Sequence, residues 1–189
     1  LAYHQLAVNL LEGHGFSSSH QFLDNDRMPS LEGGAPFLAE TFRTPGYPAF
    51  LVVVYWIFGK LPQLALVLQA AIGAFTCVLT TTLETRIFGD QSAGISGWIL
   101  AFYPLSIIYD NSLLTESVFT CLLMLSFLFL TRFLEGWHRK HACLSGFFLG
   151  LATLCRPIST YLPVLLILWI GAARLMKMFR IPWKDVLLS

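Results

Sequence analysis

Residues 115–134 read TESVFTCLLMLSFLFLTRFL, and no charged side chain occurs between positions 117 and 131. A helix needs about 20 apolar residues to cross the hydrocarbon core of a bilayer. Residues 157–173 are also uncharged, and the whole chain is 56% apolar and only 12% charged. Soluble domains carry roughly 25% charged residues. The pattern therefore predicts an all-α, polytopic transmembrane helical bundle.

Outward from this stretch, the chain divides into a polar part and an apolar part. Residues 1–61 are predicted to form an extracytoplasmic loop with surface helices, and residues 62–189 a transmembrane region. About five spans are predicted, at Pro62–Glu84, Ser92–Ile108, Thr115–Leu134, Ala142–Cys155 and Ile158–Ala173. Because the chain opens on Leu1 and closes as a new apolar run begins after Asp185, we expect a fragment of one larger domain.

Two surface helices are predicted within the polar part. Tyr3–Glu12 places leucines at helical spacing, and the glycines around His14 end this helix. Ala49–Phe58 is strongly apolar but too short to span a bilayer, so we expect it at the membrane surface. The rigid turn Thr44–Pro48 precedes it, and its prolines should force the residues before them out of the helical region.

The basic residues predict the orientation of the spans. If residues 1–61 lie outside, most lysines and arginines fall on the cytoplasmic side, as the positive-inside rule requires. Those inside are Arg86, Arg132, Arg139, Lys140, Arg174, Lys177, Arg180 and Lys184, and those outside are Arg27, Arg43, Lys60 and Arg156. The polar loop, the turn after residue 108 and the Arg156 junction then share one membrane surface.

Two ionisable residues begin or precede the span at residue 115. Glu116 could complement the helix macrodipole, with Asn111 or Ser112 as the cap. It could also face a membrane-level cavity, where a carboxylate binds a metal, positions a hydroxyl or acts as a base. Asp110 is explained by a turn or N-cap role.

Two arginines at the same surface could bind phosphate. Arg156 precedes Pro157 at a helix end, where it could satisfy the last carbonyls, extend to the interface or contact a phosphate. Arg43 precedes the rigid turn, where it could contact a lipid headgroup or a specific phosphate.

The sequence contains no established motif for metal or nucleotide binding. The histidines of the loop (His4, His14 and His20) and its acidic residues (Glu12, Asp24, Asp26, Glu32 and Glu40) match no metal-ligand spacing. No cofactor is therefore predicted, although a divalent metal is left open. The four cysteines, none in CxxC spacing, are interpreted as small buried apolar residues. A net charge of +1 gives no reason to expect a nucleic-acid partner.

Several segments resemble the GT-C superfamily of membrane glycosyltransferases, in the branch of protein O-mannosyltransferases and the aminoarabinose transferase of lipid A. They are YHQLAVNLLEGHGF (3–16), RTPGYP (43–48), LQA (68–70), LTESVF (114–119) and CRP (155–157). The RTPGYP turn and its spacing from LLEGHGF are the most specific of them. The likeness extends over nearly the whole chain.

The resemblance implies an enzyme that moves a sugar from a polyprenyl-phosphate donor to an extracytoplasmic lipid, glycan or protein, with inversion at the anomeric carbon. It implies a bacterial inner membrane and an active site facing the periplasm. Arg43 and Arg156 would hold the lipid phosphate, Tyr47 would belong to the substrate-binding turn, and Glu116 would shape the acceptor or metal site. The base would be an aspartate before the position of Tyr3, so the chain alone is expected to be inactive.

Two other classes of function are compatible with the composition. A secondary transporter would place Asp110 or Glu116 deep in a water-filled path open to both sides. A non-enzymatic membrane subunit would leave Arg43, Glu116 and Arg156 scattered, with no cavity between them. The glycosyltransferase hypothesis predicts that these last three side chains converge on one cavity at the extracytoplasmic surface.

Overall fold

The computed structural model describes residues 2–19, 37–39, 43–89, 94–136 and 138–175. Its elements are α1 (Ala2–Leu11), β1 (Ser17–Ser19), β2 (Phe37–Ala39), α2 (Gly46–Phe58), α3 (Pro62–Phe88), α4 (Ile95–Ala101), α5 (Pro104–Asp110), α6 (Glu116–Gly136), α7 (Arg139–Cys155), a 3-10 turn (Pro157–Thr160) and α8 (Tyr161–Leu175). The predicted helical class is confirmed. The short strands pair antiparallel, with Ser17 opposite Ala39.

Two helices of the described part are long and apolar enough to cross a membrane, α3 with 27 residues and α6 with 21. At 1.5 Å per residue, α6 is roughly 31 Å long, which matches the hydrocarbon core of a bilayer. It packs between α3 and α7. Because α7 has 17 residues and α8 has 15, the count of about five spans stays a prediction.

The run predicted as one span at Ser92–Ile108 is divided into α4 and α5, each of seven residues. The break falls at Tyr103, whose backbone is extended at φ −71° and ψ 115°. Pro104 is the reason, because the ring of a proline pushes the residue before it out of the helical region. Both helices lie against α3.

The first two helices, α1 and α2, pack against each other. Leu6 and Ala7 of α1 are fully buried, as is Leu51 of α2. The opposite face of α2 is apolar and exposed, and Trp56 has 79% of its surface accessible. Large apolar residues on the outward face of a helix suit contact with lipid.

The start of α2 differs from the prediction. The helix begins at Gly46, so Tyr47 is helical although it precedes Pro48. Pro48 falls in the first turn, where a backbone N–H has no partner within the helix, and a proline is tolerated there. The turn thus becomes the N-terminus of α2 instead of a separate element.

Two buried serines join α6 to α7. The Ser126 hydroxyl donates to the Ser145 carbonyl at 3.0 Å, and the Ser145 hydroxyl donates to the Ser126 carbonyl at the same distance. Small residues let the helix backbones approach, and paired hydroxyls satisfy their own polar groups in an apolar surrounding. This contact joins the two helices near the middle of each.

Candidate functional site

The RTPGYP turn is attached to the end of α7. The Thr44 hydroxyl donates to the Cys155 carbonyl at 2.7 Å, and so satisfies one of the carbonyls that a helix leaves unpaired at its C-terminus. A Cβ on Gly46 would lie 2.6 Å from the backbone carbonyl of Leu154. Only glycine permits this approach. The turn therefore places Arg43 on the same cavity as Arg156.

A buried hydrogen-bond chain connects the same turn to the start of α6. Tyr47 is fully buried, and its hydroxyl donates to Gln69 Oε1 at 2.6 Å. The Gln69 amide donates to the carbonyls of Ser112 and Leu114, at 3.0 Å and 3.4 Å. Burial raises the pKa of Tyr47, which keeps the phenol a neutral donor. Tyr47 thus connects the turn to the start of α6 through Gln69, and it does not line the cavity that lies there.

A cavity of about 520 Å³ lies where the turn, the start of α6 and the end of α7 meet. Its lining residues are Tyr3, Arg43, Thr44, Leu114, Thr115, Glu116, Cys155, Arg156, Pro157 and Ile158. The predicted convergence of Arg43, Glu116 and Arg156 on one cavity is therefore confirmed, whereas their roles stay predictions.

Glu116 and Arg156 form an ion pair at the floor of this cavity. Arg156 Nη2 lies 3.4 Å from Glu116 Oε1, with 44% of the arginine side chain and 22% of the glutamate side chain exposed. Glu116 is the first residue of α6, where the helix macrodipole also favours a negative charge. The pair is accessible enough to exchange partners with a ligand.

Aromatic rings orient both arginines. The guanidinium of Arg43 lies 5.7 Å from the centre of the Tyr3 ring, and that of Arg156 lies 5.7 Å from the Phe119 ring. Tyr3 in turn packs edge-on against Tyr47. Cation–π contacts of this length stabilise a charge while leaving its N–H groups available.

Sequence reasoning gave no role to three residues of this site. Tyr3, Gln69 and Phe119 occur in the quoted motifs, yet none was predicted to act. A signal existed for Gln69, because a glutamine in the long apolar run after Pro62 needs a partner. No comparable signal exists for the rings, because aromatic residues are frequent throughout the chain.

The predicted caps of α6 are not formed. The side chains of Asn111 and Ser112 donate backwards to the carbonyls of Ile107 and Ile108 in α5. Asp110 closes α5, and its carboxylate accepts a hydrogen bond from the Ser117 hydroxyl. Asp110 therefore ties α5 to α6 and serves neither as an N-cap nor as part of a turn alone.

A second cavity, of about 270 Å³, shares Glu116 and Arg156 with the first. Its other lining residues come mainly from α3, α5 and α6, and six of the nine carry a hydroxyl group: Gly73, Thr76, Leu100, Tyr103, Ser106, Tyr109, Ser117, Phe119 and Thr120. The Glu116–Arg156 ion pair therefore borders both cavities.

A family model described as dolichyl-phosphate-mannose-protein mannosyltransferase matches residues 42–188. The chain belongs to this family. The matched residues contain the RTPGYP turn, Glu116 and Arg156. No curated protein and no solved structure gives a significant match.

Membership in the mannosyltransferase family agrees with the architecture. The family consists of GT-C membrane glycosyltransferases, and α3 and α6 provide helices that can span a bilayer. The chain is therefore an integral membrane protein from a family of sugar-transferring enzymes. Bacterial origin, sidedness and the acceptor stay predictions.

Metal-binding side chains are not clustered in the described part of this mannosyltransferase family member. Among the described residues there is no group of three or more His, Cys, Asp or Glu side chains. His4 Nδ1 instead contacts the Tyr55 hydroxyl at 2.8 Å, and burial lowers the pKa of His4. His14 lies 3.9 Å from Glu12.

The other ionisable residues of the predicted loop lie outside the described residues: His20, Asp24, Asp26, Arg27, Glu32 and Glu40.

The four cysteines are free, and Cys121 and Cys155 are buried as predicted. Cys77 is partly buried. Cys143 is exposed, so the interpretation as a buried residue is wrong there.

Proposed function

We propose that the protein transfers a sugar from a polyprenyl-phosphate donor to an extracytoplasmic acceptor, with inversion at the anomeric carbon. The observation that carries the proposal is the cavity in which Arg43 and Arg156 flank Glu116. Membership in the mannosyltransferase family supports the same reaction class. The acceptor is a lipid, a glycan or a protein.

The arginines are assigned to the departing phosphate. In this reaction the bond from the anomeric carbon to the phosphate oxygen breaks, and negative charge accumulates on the lipid phosphate. Planar guanidinium groups bind phosphate oxygens through paired hydrogen bonds, and fixed donors at a developing charge lower the barrier. Arg43 and Arg156 line one cavity, so both can reach a single phosphate group.

Glu116 is assigned to the acceptor side of the reaction. Its carboxylate can accept a hydrogen bond from the incoming hydroxyl, and it pairs with Arg156 at 3.4 Å. A phosphate that engages Arg156 would compete with Glu116 and leave its oxygens for the hydroxyl. Removal of the hydroxyl proton is assigned by the family resemblance to an aspartate preceding the position of Tyr3.

The distribution of charge favours this proposal over a transporter. In both α3 and α6, every Asp, Glu, Lys and Arg lies near a helix end: Glu84 and Arg86 in α3, and Glu116, Arg132 and Glu135 in α6. Ion-coupled transporters place such groups near the middle of the membrane. A scaffold subunit would not need three charged residues on one cavity.

A transfer assay tests the proposal. The intact protein, in membranes, is given a radiolabelled pool of polyprenyl-phosphate sugars, and wild type is compared with Arg43→Ala and Glu116→Gln. Lys60→Ala is the matched control, because Lys60 belongs to the same predicted surface but pairs with Glu12 at 2.6 Å, away from the cavity. We expect label to reach an acceptor with wild type and Lys60→Ala, and to fall at least tenfold in the two cavity variants.

No transfer by a folded wild-type protein with any donor would contradict the proposal, and a flux assay for transport would follow. Equal transfer by wild type and both cavity variants would support the enzymatic activity but show that this cavity is not its active site.

A further inference from the structure

A third cavity lies at the opposite end of the helices. Its volume is about 440 Å³, and it is lined by Arg86, Arg132, Glu135, Gly136 and His141. These residues come from the end of α3, the end of α6 and the first turn of α7. We call this set the basic pocket.

The basic pocket carries a net positive charge. Arg86 Nη1 is neutralised by Glu135 Oε2 at 2.7 Å. Arg132 forms no salt bridge with any described residue, and its guanidinium lies 5.5 Å from the centre of the Phe129 ring. Arg139 and Lys140 follow at the start of α7, so a further positive field surrounds the opening.

One polar atom of the pocket residues lacks a partner. Nδ1 of His141 is buried and has no hydrogen bond within the described part of the chain, while its ring stacks on Phe129. Buried polar atoms in folded proteins are almost always paired, so Nδ1 of His141 is able to form a hydrogen bond with a group that enters the pocket. The N-terminal amides of the 17-residue α7 also open toward this end.

The pocket is separated from the candidate active site by most of the thickness of the hydrocarbon core of a membrane, which is about 30 Å. Arg132 follows Glu116 by sixteen positions in α6, which is roughly 24 Å of helix at 1.5 Å per residue. If one end reaches one interface, the other reaches the opposite interface. The positive-inside rule assigns the basic pocket to the cytoplasmic leaflet.

We propose that the basic pocket binds the phosphate headgroup of an anionic phospholipid. Arg132 supplies a planar donor, Arg86 adds a second one when it exchanges Glu135 for phosphate, and the phosphate layer of a bilayer lies at this depth. Basic pockets between spanning helices on the cytoplasmic side are suited to such headgroups. The proposal is independent of the sugar-transfer reaction.

The test uses the purified intact protein in detergent, titrated with phosphatidylglycerol and, separately, with phosphatidylcholine, while binding is read by native mass spectrometry. Arg132→Gln is compared with Lys140→Gln, which removes one positive charge at the same end but does not line the pocket. We expect Arg132→Gln to weaken phosphatidylglycerol binding about fivefold and Lys140→Gln to change it less than twofold.

A second variant protects the test against misfolding. Glu135→Gln releases Arg86 and should strengthen phosphatidylglycerol binding. Equal losses of phosphatidylglycerol binding in Arg132→Gln and Lys140→Gln would show that diffuse surface attraction, and not this pocket, binds the lipid. Displacement of the lipid by an equal concentration of inorganic phosphate would overturn the lipid assignment, and no preference for phosphatidylglycerol over phosphatidylcholine would overturn the proposal altogether.

Discussion

Arg156 Nη2 lies 3.4 Å from Glu116 Oε1, so the residue that follows α7 and the first residue of α6 meet through opposite charges. The pair is partly exposed, and it borders both cavities. Partly exposed ion pairs contribute little to stability, at about 0–1 kcal/mol. Substitutions at this pair should therefore affect the reaction more than the folded state.

Arg156→Ala should lower the rate of sugar transfer by about 10²-fold, the effect typical of losing one donor to a developing negative charge. Arg156→Lys should recover part of the rate, because the charge is kept while the paired N–H geometry is lost. Initial rates with labelled donor, together with thermal unfolding in detergent, provide the measurement. A rate within twofold of wild type in Arg156→Ala would remove Arg156 from the phosphate site.

Glu116→Gln should reduce transfer at least tenfold while the protein remains folded, because an amide keeps the shape but not the charge that orients Arg156 and the acceptor hydroxyl. The control is Glu135→Gln, the other glutamate of α6 in an arginine pair, at the far end of the helix. The kinetic constants of both variants are compared with wild type. Similar losses in both variants would mean that the effect is structural and not local to the cavity.

Gly46→Ala should destabilise the protein by about 1–3 kcal/mol, since the new methyl group meets α7 backbone that cannot move aside like a flexible side chain. The measurement is the midpoint of thermal unfolding. Gly150→Ala is the control, because Gly150 is helical and a Cβ there meets no atom within 4 Å. It should be neutral or slightly stabilising. If both variants unfold at the wild-type temperature, the close approach of the turn to α7 is not needed.

Tyr47→Phe should cost about 1–3 kcal/mol, because it leaves the buried Gln69 carbonyl oxygen without its donor. Combining it with Gln69→Leu should cost less than the sum of the two single changes, since the same hydrogen bond cannot be lost twice. The free energies of unfolding of the four proteins give the coupling. Strict additivity would show that the hydrogen bond between Tyr47 and Gln69 contributes no coupling free energy.

Much of the fold was predictable because its signals are local. Hydropathy located α3 and α6, and the glycines around His14 correctly ended α1; Gly13 adopts φ 82° and Gly15 φ 71°. The signal for the break between α4 and α5 is also local, but the apolar run continues across Pro104 and therefore predicts one span. In α2, Pro48 was given too much weight, because a proline breaks a helix only beyond its first turn.

The candidate site likewise combines features that the sequence predicts with features that only the folded chain creates. The sequence by itself determined which charged residues border the apolar runs, because charges interrupt those runs at fixed places. The side of the membrane on which they lie stays a prediction of the positive-inside rule. Only the tertiary structure decided that Thr44 forms a hydrogen bond with Cys155, 111 positions later, and that Tyr47 is buried instead of lining the cavity. Such contacts depend on how closely α2, α6 and α7 pack, through Gly46 and the paired serines, and no local preference of the chain encodes that distance.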